Sequence, residues 1–251
     1  MSANTGKVAI VTGGSRGIGR QVAAQLLAAG WNVCITGRKQ ESLDEAVTAL
    51  AAGDALVAIA GRAQDSVHQA DVVATLLSRW GRIDGLINNA ATSPFLGDLV
   101  DAGIEHLERG LATNVLAPFG WIKHVYNAWM RDHGGAIVNV GSIGGTYPVP
   151  RVGVYNVTKA AVIHMTKQLA LEMAPGVRVN AVAPATIKTD FAKAKYEGRE
   201  QEVADQYPLK RLGTPEEVAQ AVILLLDGTL GWVTGQTIVL DGGASLIQGV
   251  R

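Results

Sequence analysis

The chain has 251 residues, a length that suits one large domain or two small ones. Hydrophobic residues make up 48% of it and charged residues 18%, a balance that allows a large buried core and argues against intrinsic disorder. Lysine and arginine together number 22, as do aspartate and glutamate, so the overall charge gives no reason to expect a nucleic acid or an anionic membrane as a partner.

Short apolar runs of strand length alternate along the chain with longer segments of helical periodicity. Near-continuous apolar runs are typical of parallel strands that are covered on both faces. The predicted strands are Val8–Val11, Val33–Thr36, Leu56–Ala60, Gly85–Asn88, Ala136–Val140, Val177–Val182 and Thr237–Leu240. The predicted helices are Gly17–Ala29, Glu41–Ala52, Ser66–Trp80, Ile104–Arg131, Val154–Met173 and Thr214–Leu226. This alternation predicts one α/β domain over residues 1–251, a doubly wound Rossmann-type fold with a parallel seven-stranded sheet and helices on both faces.

The last predicted helix has a clear N-terminal cap, and a polar segment precedes it. Thr214 is the expected N-cap, Pro215 the first helical residue, and Glu217 completes a capping box. The preceding stretch, Phe191–Gly213, is polar and charged and is the weakest candidate for core packing. Its place predicts a substrate lid at about residues 190–213.

The cysteine content and the apolar runs narrow the class of protein. Cys34 is the only cysteine, so an internal disulfide is excluded, and no spacing of cysteine and histidine predicts a metal site. We interpret Cys34 as a small buried hydrophobic residue on a strand. The segment Met1–Lys7 lacks the apolar region of a secretory signal, and no uncharged apolar run reaches membrane-spanning length. We therefore expect a soluble, cytoplasmic protein.

A glycine-rich turn, Thr12–Gly19, follows the first predicted strand. A glycine cluster by itself predicts only a tight turn. Between the first strand and the first helix, however, glycines let backbone N–H groups approach a phosphate, and the positive helix N-terminus attracts a pyrophosphate. The position of the turn therefore favours a dinucleotide cofactor.

The end of the second predicted strand indicates which dinucleotide binds. An acidic residue about 20 residues beyond the loop would hydrogen-bond the ribose 2′-hydroxyl and repel a 2′-phosphate. The chain has Gly37 and Arg38 there, followed by Lys39, and Arg16 lies in the loop. Guanidinium groups bind phosphate through charge-assisted, bidentate hydrogen bonds. The sequence thus predicts NADP(H), with Arg16 and Arg38 at the 2′-phosphate.

Three polar residues form the candidate catalytic set. Tyr155 and Lys159 are four residues apart in a predicted helix and share a face. Free tyrosine has a pKa near ~10, and we expect the Lys159 ammonium to lower it by stabilising the phenolate. Ser142 follows the fifth predicted strand, at the edge where open α/β sheets bind ligands. A Tyr/Lys pair is common in helices, but the order of glycine loop, Ser142 and then Tyr155 with Lys159 favours catalysis.

These motifs, in this order, resemble the short-chain dehydrogenase/reductase family along the whole chain. Within it, the chain resembles bacterial 3-oxoacyl-thioester reductases and NADP-dependent carbonyl/retinal reductases; the runs Asn88–Phe95 and Ile187–Phe191 are similar to the latter. The matching segments are Thr12–Gly19, Asn88–Ala90, Asn114, Ser142, Tyr155 with Lys159, Asn180–Pro184 and Asp241–Gly243.

The resemblance implies a role for each matching residue. Tyr155 would be the general acid in reduction and the general base in oxidation, and Ser142 would orient and polarise the carbonyl. Lys159 would lower the pKa of Tyr155 and bind the nicotinamide ribose, while Asn114 would hold a water that links Lys159 to solvent. Asn89 would lie over the cofactor ribose. The other implied cofactor contacts are Gly13, Ser15, Arg16, Gly17, Ile18, Gly19, Arg38, Tyr155 and Pro184, with Ile187 and Thr189 at the nicotinamide carboxamide.

Three positions depart from the family pattern. After the third strand the family usually has an acid that holds the adenine amine, whereas this chain has Arg62, which leaves that contact open. Ala91 and Ala185 replace the usual glycines, and because alanine has a Cβ we expect both loops to keep ordinary backbone angles.

Three functions fit this pattern. The first is NADPH-dependent reduction of a small or medium, mostly apolar carbonyl compound in a pocket between loops. The second is reduction of a 3-oxoacyl chain on acyl carrier protein; His133 and Pro175 stand where such reductases carry basic residues, which disfavours the carrier but leaves a coenzyme A thioester open. The third, a non-catalytic dinucleotide-binding protein, is disfavoured because Tyr155 and Lys159 are both present. The candidate pocket residues are Phe95, Ile143, Tyr147, Pro148, Val149 and Phe191.

The resemblance also implies a homotetramer. The family's usual assembly pairs the long predicted helices Ile104–Arg131 and Val154–Met173 across one interface and the last strand across another. The apolar last strand and Trp232 fit burial in the second interface.

Overall fold

Seven parallel strands form one sheet in the computed structural model, which describes residues 6–247. Their order is β3-β2-β1-β4-β5-β6-β7, so successive strands are added on one side of β1 and then on the other. This confirms the predicted doubly wound, seven-stranded sheet. Most of the segment Met1–Lys7, expected to carry no secretory signal, lies outside the described residues. The strands are β1 (Val8–Thr12), β2 (Asn32–Gly37), β3 (Leu56–Ala60), β4 (Gly85–Asn88), β5 (Gly135–Val140), β6 (Val177–Pro184) and β7 (Thr237–Leu240).

The helices agree with the predicted ones within a few residues, with one exception described below. The α-helices are α1 (Gly17–Ala28), α2 (Gln40–Leu50), α3 (Ser66–Trp80), α4 (Ile104–Leu111), α5 (Ala117–Val125), α6 (Arg131–His133), α7 (Gly153–Met173), α8 (Lys193–Tyr196), α9 (Glu200–Ala204) and α10 (Pro215–Leu226). Single turns of 3-10 helix lie at Gly53–Ala55, Leu99–Asp101, Ile143–Gly145 and Ala244–Leu246.

Two hydrophobic clusters, one on each face of the sheet, form the core. On one face α1, α2 and α10 pack on the sheet through side chains such as Leu26, Leu43 and Val222. On the other face α3, α5 and α7 contribute side chains such as Leu76 and Trp121. Cys34 belongs to the second cluster, as interpreted from the sequence, and burial raises the pKa of its thiol to about 12. The polar motifs lie in the loops that follow the strands, at the carboxyl edge of the sheet.

The predicted single helix Ile104–Arg131 is wrong in detail. Two wider π-helical turns, Ala112–Leu116 and Tyr126–Met130, separate α4, α5 and α6. At the first of them the Ala117 N–H bonds to the Ala112 carbonyl, five residues back. Pro118 supplies a physical reason, because it has no N–H to give to the Asn114 carbonyl, its partner in an α-helix. One α-helical hydrogen bond is therefore missing beside Asn114, and π turns of this kind are frequent at functional sites.

The segment before α10, for which a lid is predicted, contains two short helices, α8 and α9. α10 begins with the predicted capping box: the Glu217 N–H donates to Thr214 Oγ1 at 3.4 Å, and the Thr214 N–H donates to Glu217 Oε2 at 3.0 Å. Within residues 6–247, no helix has both the length and the apolar character needed to cross a membrane. The same residues contain no group of three His, Cys, Asp or Glu side chains placed to bind a metal ion.

Candidate active site

The glycine loop packs tightly between β1 and α1. The Gly14 N–H donates to the Thr36 carbonyl at 3.0 Å, and a Cβ on Gly14 would lie 2.6 Å from Ile35 Cγ2. A Cβ on Gly19 would lie 2.4 Å from the Gly13 carbonyl oxygen. No side chain of the described residues caps the start of α1, so its first N–H groups lack a side-chain acceptor. A tight loop that leads into an uncapped helix N-terminus fits a pyrophosphate.

Asn89 supports this loop from the end of β4. Its Nδ2 donates to the Thr12 carbonyl at 2.9 Å and to the Gly13 carbonyl at 3.0 Å. Thr12 Oγ1 in turn accepts the N–H groups of Asn89 and Ala90 at 3.0 and 3.1 Å. The expected position of Asn89 over a cofactor ribose stays a prediction, since its amide N–H groups are engaged in holding the loop. Thr12, which sequence reasoning did not single out, fixes β1 to β4 here.

The end of β2 lies against the same loop. A Cβ on Gly37 would lie 3.6 Å from Ser15 Oγ, so the predicted 2′-phosphate position is next to the glycine loop. Arg16 and Arg38 are both exposed, and neither pairs with a carboxylate of the described residues. Two unpaired guanidinium groups and no acid at position 37 fit a 2′-phosphate.

The candidate catalytic residues Ser142 and Tyr155 meet at the carboxyl edge of the sheet. Ser142 follows β5 and accepts the Gly144 N–H at 3.2 Å, while Tyr155 lies in the first turn of α7. Burial raises the pKa of Tyr155 to about 12, and the nearby Ser142 hydroxyl opposes part of this rise. The lowering of the Tyr155 pKa by Lys159, expected from the sequence, is therefore not found. Desolvation disfavours the phenolate more than its neighbours stabilise it.

Lys159 lies one turn further along α7, beside the Tyr155 ring. Its Nζ is 5.5 Å from the ring centroid and donates to the Val140 carbonyl at 2.6 Å, so it points to the end of β5 rather than to the phenol oxygen. Only 3% of the residue is exposed. Burial lowers the pKa of Lys159 to about 8. The shared face predicted from the spacing brings the two residues together, but the ammonium is held by a main-chain carbonyl.

Asn114 organises the site through its buried side chain. Its amide accepts the Thr92 N–H and donates to the Thr92 carbonyl, both at 2.8 Å, and donates to Thr158 Oγ1 at 2.8 Å. Thr158 Oγ1 in turn donates a hydrogen bond to the Tyr155 carbonyl at 2.8 Å. Both amide N–H groups of Asn114 are used, and the expected water could be held by its main-chain carbonyl, which Pro118 leaves without an α-helical partner. Thr158 was missed from the sequence; its only signal is its place on α7 between Tyr155 and Lys159.

The segment after β6 closes the site from the other side. It begins at Pro184, the last residue of β6, and Ile187 is buried while pairing with Gly213. A Cβ on Gly17 would lie 3.2 Å from Thr189 Cγ2, so this segment reaches the glycine loop. The Phe191 ring lies 6.0 Å from the Tyr155 ring between centroids, although about half of Phe191 is exposed. Phe191 thus partly covers the candidate proton donor.

Two of the three departures from the family pattern, Ala91 and Ala185, do not change the backbone conformation of their loops. The non-glycine residues with left-handed backbone angles within 6–247 are Ala51, Arg151 and Lys210, so both replacement alanines keep ordinary angles as expected. Arg62 is exposed beyond the end of β3. Its effect on the adenine contact remains a prediction to be tested.

Comparison with known proteins places this geometry in a family. A family model described as enoyl-(acyl carrier protein) reductase matches residues 13–245. Dehydrogenase/reductase SDR family member 4 of rabbit (Oryctolagus cuniculus) is 41% identical over 245 residues, which cover 95% of this chain and 93% of the relative. The chain belongs to the short-chain dehydrogenase/reductase family.

Solved structures of short-chain dehydrogenases/reductases have the same fold. A short-chain type dehydrogenase/reductase from Mycobacterium ulcerans superposes with a TM-score of 0.91 at 33% identity, over 96% of this chain and 90% of that one. A variant of actinorhodin polyketide ketoreductase with NADPH gives a TM-score of 0.90 at 29% identity, over 97% and 98% of the two chains. The resemblance stated from the sequence motifs is thereby confirmed. The protein is an oxidoreductase of this family.

Proposed function

We propose that the protein is an NADPH-dependent reductase that converts a ketone or aldehyde to an alcohol, in a reversible reaction with Tyr155 as proton donor. One observation carries the proposal: Ser142, Tyr155 and the buried Lys159, whose Nζ is 5.5 Å from the Tyr155 ring centroid, come together at the sheet edge that also bears the glycine loop. Such an edge is where open α/β sheets bind ligands.

The residues around the glycine loop support NADP(H) as the cofactor. The tight loop, the uncapped start of α1 and the unpaired Arg16 and Arg38 suit a pyrophosphate and a 2′-phosphate. NADPH, when bound, supplies the hydride. The ketoreductase with NADPH that shares this fold supports the same assignment.

The proton is the part of the chemistry that this chain supplies. A phenol whose pKa is raised to about 12 is fully protonated at neutral pH, so Tyr155 carries a proton ready for donation. The alkoxide that forms when a carbonyl carbon gains hydride is a stronger base than the phenolate and draws this proton. Ser142 orients the carbonyl and stabilises its developing negative charge. Lys159, held by the Val140 carbonyl, places a positive charge beside the phenolate that results.

The covered position of Tyr155 supports a substrate with an apolar part. Phe191 lies beside the tyrosine ring and partly covers the proton donor, and a lower local polarity strengthens electrostatic interactions. Exposed apolar side chains such as Phe191 would pack against the carbon skeleton of the substrate.

A 3-oxoacyl thioester is the second candidate substrate, favoured by the ketoreductase likeness and by the acyl-carrier description of the family model. It presents the same ketone to the same residues, so the mechanism is unchanged. Comparison of kcat/KM for simple ketones and for 3-oxoacyl-coenzyme A separates the two candidates.

The test is a screen of NADPH oxidation with ketones, aldehydes, quinones and 3-oxoacyl thioesters, using the unmodified protein and Tyr155→Phe. The variant keeps the ring and its packing but loses the acid, so we expect turnover to fall by ~10²–10⁴ while NADPH affinity stays unchanged. Tyr126→Phe, at a partly buried tyrosine of the π-helical turn Tyr126–Met130 that packs against the second core cluster, is the matched control. Absence of turnover with every carbonyl, or an undiminished rate in Tyr155→Phe, would overturn the proposal.

A further inference from the structure

The loop between β5 and α7 carries Ser142 at its start and leads into the helical turn that contains Tyr155. The Gly145 N–H donates to the Ser142 carbonyl at 2.9 Å. Gly145 also packs closely on α7, because a Cβ there would lie 2.6 Å from the Lys159 carbonyl carbon. The conformation of this loop therefore sets where the Ser142 hydroxyl lies relative to α7 and its tyrosine.

Asn156, the residue after Tyr155, holds this loop at a second point. Only 9% of the residue is exposed, and its Nδ2 donates to the Val149 carbonyl at 2.7 Å. Its Oδ1 is buried and has no hydrogen-bond donor among the described residues. A buried acceptor without a donor costs folding free energy, so its presence beside the catalytic tyrosine requires an explanation.

The unpaired Oδ1 of Asn156 lies against Gly144, two residues after Ser142. A Cβ on Gly144 would overlap Asn156 Oδ1, and it would lie 3.7 Å from Ser142 Oγ. The Gly144 N–H donates to Ser142 Oγ at 3.2 Å. Because this N–H occupies a lone pair of the Ser142 oxygen, the hydroxyl proton remains free for a substrate oxygen. Asn156 thus contacts the far part of the loop at Val149 and also the residue that orients the Ser142 hydroxyl.

We infer that Asn156 is a positioning residue of the active site, which holds the loop of residues 142–149 and thereby fixes the Ser142 hydroxyl for donation to the carbonyl oxygen of the substrate. Asn156 acts through Gly144 and does not touch the substrate, since its side-chain amide is buried. A hydroxyl held in one direction stabilises the developing negative charge better than one that must reorient during the reaction. This inference deepens the function proposed above and rests on it.

Kinetics of carbonyl reduction by Asn156→Ala, alone and combined with Ser142→Ala, test this inference. Alone, Asn156→Ala should lower kcat about tenfold while KM and the NADPH dissociation constant change less than about threefold. In the Ser142→Ala background the same change should lower kcat less than about twofold, because the hydroxyl that Asn156 orients is already gone. Equal losses of kcat in both backgrounds would overturn the inference.

Asn180→Ala is the matched control. Asn180 is also buried, and its Nδ2 donates to the Val233 carbonyl at 2.9 Å, but it lies within β6. We expect this variant to be less stable and to keep kcat within about twofold of its parent in both backgrounds. A loss of kcat that depends on Ser142 in Asn180→Ala as well would reduce the Asn156 result to a general effect of packing and would overturn the inference.

Gly144→Ala tests the same contact from the side of the loop. The φ angle of Gly144 is not positive, so the added methyl group meets Asn156 Oδ1 without straining the backbone. This variant should lower kcat about tenfold, whereas Gly144→Ala combined with Asn156→Ala should be no slower than Asn156→Ala alone, since the smaller side chain makes room for the methyl group. Additive losses would overturn the inference. If Asn156→Ala does not fold, the comparison with Ser142→Ala is made on Gly144→Ala, whose loss of kcat should disappear in the same way.

Amide hydrogen exchange of the ligand-free protein keeps this inference separate from the proposed function. Asn156→Ala should speed exchange of the Gly144 N–H and of the other amides of residues 143–149 about tenfold, and leave exchange in β4 unchanged. Unchanged exchange in the loop overturns the inference whether or not the protein reduces a carbonyl. Failure of the unmodified protein to reduce any carbonyl refutes the proposed function instead.

Discussion

Cofactor choice depends on single residues at the end of β2. Arg38 and Arg16 are unpaired, and Gly37 provides no acid that would repel a 2′-phosphate. We predict that NADPH binds more tightly than NADH, and that Gly37→Asp combined with Arg38→Leu reverses the order, because the new carboxylate binds the ribose 2′-hydroxyl instead. Fluorescence titration with both dinucleotides measures the ratio of dissociation constants. Equal affinities in the unmodified protein would contradict the assignment.

Burial of Lys159 affects the free energy of unfolding. Its pKa is about 8 in the folded protein and 10.5 when unfolded, so the unfolded chain binds more protons between these values. Keeping the buried ammonium charged therefore costs folding free energy below pH 8, and this cost disappears as the pH rises towards 10.5. We predict that Lys159→Met raises the free energy of unfolding at pH 7, by at most about 3 kcal/mol, and that the difference narrows by pH 9.5.

Denaturant unfolding of the ligand-free protein at both pH values measures this difference. Lys167→Met, at an exposed position of the same helix, is the control and should change stability little at either pH. A variant of Lys159 that is less stable than the unmodified protein at pH 7 would show that its bond to the Val140 carbonyl outweighs desolvation.

At the scale of elements, α10 begins with a capping box that both sequence and structure show. Thr214 Oγ1 accepts the Glu217 N–H, and the Glu217 carboxylate is also held by Arg211 through two hydrogen bonds. We predict that Thr214→Ala lowers the free energy of unfolding by about 1 kcal/mol, since one N–H of the first turn loses its acceptor. Chemical denaturation checks this value. Thr214→Ser keeps the hydroxyl and should cost much less; equal losses would show that the methyl group, not the cap, matters.

Two sets of apolar side chains are exposed on the surface of the single chain. Trp232 is fully exposed, and Val239 on the edge strand β7 is 41% exposed. Leu116, Phe119 and Val157, around α5 and α7, form a second set of exposed apolar side chains. Apolar surface of this kind is typical of protein–protein interfaces. We therefore predict a homotetramer built from two different interfaces.

Light scattering at micromolar protein should give about four times the mass of the chain, and Trp232→Lys should reduce it to about half by breaking one interface. Val67→Lys, which changes an exposed apolar residue outside both sets, should leave the mass unaltered. A monomeric mass for the unmodified protein would refute the predicted assembly.

The sequence alone predicted the architecture and named the candidate site residues. Strands, helices and the α10 cap depend on periodicity and on residues close in the chain, so local patterns such as Thr214–Glu217 suffice to predict them. The order of glycine loop, Ser142 and Tyr155 with Lys159 was equally visible, because parallel strands bring their carboxyl ends to one edge whatever the loops do.

Only the tertiary structure decided how these residues act on one another. The raised pKa of Tyr155 depends on burial by distant segments such as Phe191, and the direction of the Lys159 ammonium depends on where the Val140 carbonyl ends β5. The side chain of Asn114 bonds to Thr92, 22 residues away, and to Thr158, 44 residues away, which no periodicity indicates. Burial and long-range hydrogen bonds are properties of the packed chain, and because they set the local dielectric environment, they fix proton affinities that spacing in the sequence does not encode.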